Sequence, residues 1–281
     1  MLYFRHWAWT MTHFEILLSL SITGFEAALC VFVYTRQLQR RLPYFSAYAT
    51  TILICSLGLS LIFWRFGFRS VTSYYADWIA LAVSVLARSA CIVELCRDVL
   101  RAYRGIWALS WRILGLLTSS LCLHAALDAR GQPNWIATYG LTLERDIAIS
   151  SVVVLIVLFL IGDYYRIPLE PLQKWIALGI CFFCVIEFVN NTVLRDLFIE
   201  YTNSWSAMKG RVDHVNEVWN TVYVSASLVT LGMWCFMLRK PLPEPSKAPV
   251  LLPSGIYQEL SPAVNLRLRA FNDRLQEMLK P

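Results

Sequence analysis

The chain has 281 residues, of which 57% are apolar and only 16% charged, with a mean hydropathy of +0.52. Soluble domains carry about 25% charged and 45–50% apolar residues, so these proportions exclude a soluble fold and indicate an integral membrane protein. The net charge of +6 does not signal nucleic-acid binding, because the basic residues sit in short runs between apolar segments, as topology signals do.

The first apolar run begins near His13. No small-residue cleavage site follows it, and Glu15 and Glu26 interrupt it. It therefore reads as an uncleaved first span, not a signal peptide. Seven segments of the length needed to cross a bilayer are expected. They are approximately His13–Tyr34, Tyr44–Phe66, Asp77–Leu100, Trp107–Asp128, Leu143–Tyr164, Trp175–Asp196 and Val215–Leu238. Pro43, Gly105, Gly131 with Pro133, Pro168 with Pro171, and Gly210 punctuate the joins. The expected fold is all-α, a polytopic bundle of seven transmembrane helices over residues 1–240. The tight runs Arg36, Arg40, Arg41 and Arg97, Arg101, Arg104 set the N-terminus outside and the C-terminus inside, because the positive-inside rule acts through short loops. Trp residues near the span ends fit interfacial anchoring.

After Lys240 the composition changes. Pro241, Pro243, Pro245, Pro249 and Pro253 make residues 241–255 a stiff linker. Over residues 256–281, Ser261 and Pro262 read as a helix start. Val264, Leu268, Phe271, Leu275 and Met278 then follow at helical spacing. This is a cytoplasmic amphipathic helix. It lies on the inner leaflet, or pairs with a second copy or a partner protein. No soluble output domain is recognisable, so signalling would run through such a partner.

Ionisable residues inside spans are costly and are functional candidates by default. Glu26, Arg88, Glu94 and Glu187 qualify, with Asn190 and Asn191 on the Glu187 face of their helix. Arg88 meeting Glu26 or Glu187 would make either a central site for a polar ligand or proton, or a structural ion pair with interhelical amide hydrogen bonds. A second set lies toward the outer side. His124 and Asp128 are i, i+4, and His214 and Glu217 are i, i+3, so each pair shares a face. Together they could hold zinc and activate water, provided the two spans touch. Otherwise they are ordinary interface residues.

Several classes fall away. All eight cysteines lie in apolar stretches and read as buried thiols. Cys181 and Cys184 have C-x-x-C spacing but no βαβ context. No lysine lies within a span, which excludes a retinal Schiff base. There is no Walker motif and no internal repeat of the transporter kind. No cofactor is implied.

The stretch Arg40-Arg41-Leu42-Pro43-Tyr44-Phe45 leads into span two. Glu94-Leu95 is followed by Tyr103-Arg104-Gly105, and Leu143-Glu144-Arg145 opens span five. Together these resemble a family of uncharacterised bacterial seven-helix membrane proteins, of the kind found in acidobacteria. The resemblance runs over all seven spans. It implies the topology and a bacterial inner membrane, and it marks Glu94, Glu144 and Arg145, but it implies no chemistry. The expected function is a receptor-like sensor or adaptor without catalysis of its own, in contact with the lipid bilayer. A small-solute or proton-coupled transporter and an outer-face metalloenzyme are the alternatives.

Overall fold

A computed structural model describes residues 13–67, 70–100, 104–132, 135–164, 169–203 and 209–239, together with Ala270, Asp273, Arg274, Glu277 and Met278. The described chain is all-helical. Its long helices are α1 (His13–Thr35), α2 (Pro43–Phe66), α3 (Val71–Leu100), α4 (Arg104–Ala129), α5 (Trp135–Tyr164), α6 (Pro171–Asn203) and α7 (Lys209–Arg239). Five of them are long and apolar enough to cross a membrane: α2, α3, and stretches of α5, α6 and α7. In α1 the stretch Leu20–Thr35 is apolar but shorter. Large apolar side chains face outward, with Trp64 82% and Leu116 73% exposed. Such surface suits lipid and not water, so the protein is a multi-pass membrane protein in contact with the bilayer.

The helices start and stop where the chain chemistry requires. Pro43 occupies the first turn of α2, where its missing N–H costs nothing. Gly67 ends that helix at φ 74° while donating its N–H to the Phe63 carbonyl. Gly131 ends α4 in the same left-handed region, which only glycine enters freely. Gly105 and Gly210 do not lie in joins. Both fall in the first helical turn, of α4 and α7. Several helices also outrun the expected spans. α5 begins at Trp135 and α3 at Val71, because helix continues past the apolar stretch wherever backbone bonding persists. Of the expected amphipathic tail, only the five positions named above are described. All five are helical and exposed, and the rest of residues 240–281 lies outside the described residues.

The links between consecutive helices are at most seven residues long. Links that short cannot reach back along a helix of 30 residues, about 45 Å, so the helices alternate up and down. Packing then follows a closed ring. α1 touches α2 and α7, α2 packs on α3, α3 on α5, α5 on α6, and α6 on α7. Helix α4 stands outside this ring, against α5 and the flank of α3.

The ring is asymmetric along its axis. Its apolar core gathers at the end where α1, α3, α5 and α7 finish and α2 and α6 begin. Phe45, Leu29, Leu38, Leu95, Ile176, Ile180 and Leu238 are fully buried there. Trp234 of α7 meets Phe45 edge-on at 5.4 Å and Tyr48 at 6.2 Å, and its Nε1 donates to the Trp175 carbonyl at 3.3 Å. A side chain at Gly179 would overlap the Trp234 indole, so the close approach of α6 and α7 needs a glycine there. Arg36 ties the same end by donating to the Arg239 carbonyl at 2.9 Å.

Glu94 is the other anchor of this end. Leu42 gives α2 no side-chain cap. Instead the Tyr44 and Phe45 N–H groups donate to Glu94 Oε1 and Oε2, at 3.1 and 2.9 Å. A carboxylate satisfies two orphan donors there and faces the positive end of the helix dipole. Replacing Glu94 by Ala strands both donors, each costing about 1–3 kcal/mol. The expected outcome is a loss of about 2–6 kcal/mol for the two donors together, with a smaller loss for Glu94→Gln, read by thermal unfolding of the protein in nanodiscs. Equal stability of Glu94→Ala and the parent would contradict this anchoring.

Candidate functional site

Above the apolar end, the ring helices line a half-open cavity of about 300 Å³, apolar over most of its wall but carrying several polar side chains. Every helix of the ring contributes to it and α4 does not. Glu26 comes from α1, Tyr48 and Ser56 from α2, and Asp77, Ser84 and Arg88 from α3. Glu144 comes from α5, Phe183 and Glu187 from α6, and Tyr223, Ser227 and Thr230 from α7. Along each helix the order is the same. On α3, Asp77, Ser84 and Arg88 line the cavity, and Ile92 and Leu95 join the core beyond. On α1, Glu26 lines it and Leu29 and Val33 follow in the core. The floor is Tyr48 and Trp234.

Arg88 is the centre of the polar set. Its Nη1 donates to Glu187 Oε1 at 2.9 Å, and its Nη2 lies 2.6 Å from Oε2, off the hydrogen-bond axis. Both side chains are almost wholly buried. The guanidinium also stands 5.3 Å from the centroid of Phe183, within cation–π range. Asn191 Nδ2 donates to Glu144 Oε2 at 2.8 Å, and the Glu144 and Glu187 carboxyl groups lie within hydrogen-bonding reach of each other. One guanidinium, two carboxyls and an amide thus bind α3, α5 and α6 together. Besides the ion-paired Arg88 Nη2 and Glu187 Oε2, four buried polar atoms are left without hydrogen-bond partners among the described residues: Glu26 Oε2, Arg88 Nε, Asn190 Oδ1 and Trp78 Nε1.

The sequence-derived set is only partly assembled. Arg88 pairs with Glu187, and Glu26 lines the same cavity from α1. Asn190 and Asn191 are buried beside them, on the Glu187 helix. Glu94 is not in the cavity, since it holds the start of α2 as described above. His124 and Asp128 turn toward α5. His124 Nδ1 is 2.7 Å from Asp146 Oδ2, and Asp128 Oδ2 accepts from Thr142 Oγ1 at 2.8 Å. Arg145 also bonds Asp146, through Nε at 2.9 Å. The side chains of His214 and Glu217, like that of Glu15, lie outside the described residues. Among the described residues, no group of three or more His, Cys, Asp and Glu side chains is disposed to hold a metal ion. All eight cysteines are free, Cys181 and Cys184 included.

Glu144, Asp77, Tyr48 and Tyr223 are cavity residues that sequence reasoning did not assign to the site. Glu144 carried a signal, a carboxylate beside Arg145 and Asp146 within an apolar segment. Placing the start of span five at Leu143 put it at the membrane surface. The helix in fact begins eight residues earlier, so Glu144 sits well inside it. Comparison with family models, curated proteins and solved structures gives no match to this chain.

Removing one partner of a buried ion pair leaves an uncompensated charge, at about 3–5 kcal/mol. Replacing both with apolar residues of similar volume removes that penalty. Glu187→Leu is therefore expected to unfold readily in detergent. The double variant Arg88→Met, Glu187→Leu should regain most of the lost stability. Unfolding curves of both singles and the double test this, and a double variant no more stable than the worse single would refute the pairing.

Proposed function

We propose that this protein is a receptor-like membrane sensor that binds a small polar ligand in the cavity above Tyr48 and Trp234. The observation that carries the reading is the cavity itself. Its wall is mainly apolar with acidic and hydroxyl side chains set into it, and at roughly 300 Å³ it lies at the lower end of small-molecule sites. It keeps buried polar atoms unpartnered, and dense apolar packing closes it at one end. A purely structural ion pair needs no such space around it.

The proposed topology has seven spans, with the N-terminus outside and the C-terminus inside, in a bacterial inner membrane. The distribution of charge supports it. Arg36, Arg40, Arg41, Arg97, Lys174 and Arg239 all belong to the closed end of the ring. That end is then cytoplasmic by the positive-inside rule, and the cavity opens toward the outside. The resemblance noted above to bacterial seven-helix membrane proteins points to the same membrane. The tail beyond Lys240 passes the liganded state to a partner protein or to the inner leaflet.

A carrier is the second reading, since intramembrane charges serve transport as well as sensing. It requires the Phe45, Tyr48 and Trp234 packing to open toward the cytoplasm during each cycle. Cys55 lines the cavity and separates the two readings. In a variant keeping only that cysteine, an impermeant maleimide is expected to label it from the outer face and not from the cytoplasmic face. Labelling from both faces would overturn the sensor reading in favour of the carrier. Removing residues 254–281 is expected to abolish recovery of a cross-linked partner from the native membrane while leaving Cys55 labelling unchanged. Partner recovery undiminished by that truncation would remove the tail from the mechanism.

A further inference from the structure

The cavity has an excess of carboxyl groups. Among the described residues, Arg88 is the sole basic one in its lining, against Glu26, Asp77, Glu144 and Glu187. Glu187 engages the guanidinium through both of its oxygens. Glu144 is held by Asn191. Glu26 and Asp77 remain without a basic neighbour in the wall. Glu26 is only 6% exposed, and its Oε2 has no hydrogen-bond partner. A buried acceptor left in that state costs about 1–3 kcal/mol, and a donor arriving from the cavity removes the cost. The donor that also answers the charge is a cation.

The walls narrow the kind of cation. Tyr48, Tyr223 and Trp234 present aromatic surface to the same space, as sites for alkylammonium groups do. A bare metal ion wants several ligands converging on one point. Among the described residues no such convergence of metal-binding side chains occurs. An anion would face four carboxyls for one guanidinium, itself already paired.

We propose that the cavity binds a small organic ammonium ion, with Glu26 as its counter-charge and the Tyr48, Tyr223 and Trp234 rings around its apolar part. This rests on the ligand-binding reading above and adds the ligand class. Arg88 Nε, the unpartnered donor in the same wall, suits a hydroxyl or carbonyl oxygen on that ligand. No covalent step is involved.

The test uses the full chain in nanodiscs with phenylethylamine and cyclohexylamine as probes, and 3-phenylpropionate as the anionic counterpart. Alkylation of Cys55 is followed by peptide mass spectrometry. Either amine is expected to slow alkylation at saturation, and the carboxylate to leave it unchanged. Glu26→Gln should weaken amine protection about tenfold or more, from the loss of a charge-assisted hydrogen bond. Asp163→Asn, exposed near the far end of α5, should leave it unaltered. Protection by the carboxylate and not by the amines would overturn the proposal while leaving a ligand site in place. So would amine protection that is undiminished in Glu26→Gln. If Glu26→Gln does not fold, the amine and carboxylate comparison on the unsubstituted chain decides alone. A Cys55 that no reagent reaches from either face would instead overturn the accessible cavity, and this inference with it.

Discussion

A guanidinium cannot be left unpaired inside a helix bundle that lipid surrounds. The cost of an isolated charge there runs to several kcal/mol by any measure, and Arg88 sits in the middle of α3, almost fully buried. Much of the ring is arranged around this constraint. α6 brings Glu187 to it, so α3 and α6 meet at depth although they are not sequence neighbours. α5 enters between them and contributes Glu144, which Asn191 then holds from α6. The two acidic helices are thus fixed to each other as well as to the arginine. Phe183 closes over the guanidinium and replaces solvent with an aromatic face. A ring drawn together by apolar contacts alone would have no such preference for register, because lipid is as good a neighbour for leucine as another helix is.

The same economy explains why the two ends of the ring differ. Below the ion pair the lining is leucine, isoleucine and aromatic, and the helices approach closely, with Gly179 admitting the Trp234 indole. Above it each ring helix turns a polar or acidic residue inward, and the helices cannot close without burying those groups unpaired. A cavity is the physical result. Helix α4 needs neither device. Its polar residues His124 and Asp128 find Asp146 and Thr142 on α5, so it attaches from outside without entering the ring.

The sequence made the helices legible and the site only in part. Hydropathy located the helices, and five of them are long and apolar enough to cross a membrane, because a span needs about 20 apolar residues whatever else it does. The same window misjudged the ends. It measures hydrocarbon thickness, while helices such as α5 continue beyond it, and that difference hid Glu144. Position alone could bring Glu187, Asn190 and Asn191 onto one face, since helical periodicity fixes faces. It could not choose between Glu26 and Glu187 for Arg88, because that depends on which helices approach each other across the ring, as α3 and α6 do. Glu94 is a buried polar residue as expected, but its particular role was not legible. Its partners are backbone N–H groups at the start of α2, and a backbone donor leaves no trace in side-chain patterning. The grouping of His124 and Asp128 with His214 and Glu217 assumed a contact between their helices. The first two side chains are instead occupied by α5.

Helix α7 connects the cavity with the far end of the chain. Tyr223, Ser227, Thr230 and Trp234 lie along one of its faces and line the cavity from wall to floor. Beyond Trp234, Leu238 joins the apolar core and Arg239 ends the helix, where its carbonyl receives Arg36. The proposed sensor needs a ligand that binds two arrangements of the bundle unequally, since a ligand indifferent to them shifts nothing. Trp234 is placed for that difference. It is both cavity floor and the aromatic contact of Phe45 and Tyr48, so a ligand that displaces its ring disturbs the packing of α7 against α2. The residues after Arg239 begin within two turns of that indole. On this reading, signal transfer requires no long pathway through the bundle, only two rotations of one tryptophan that differ in their contacts with the ligand above and the apolar core below.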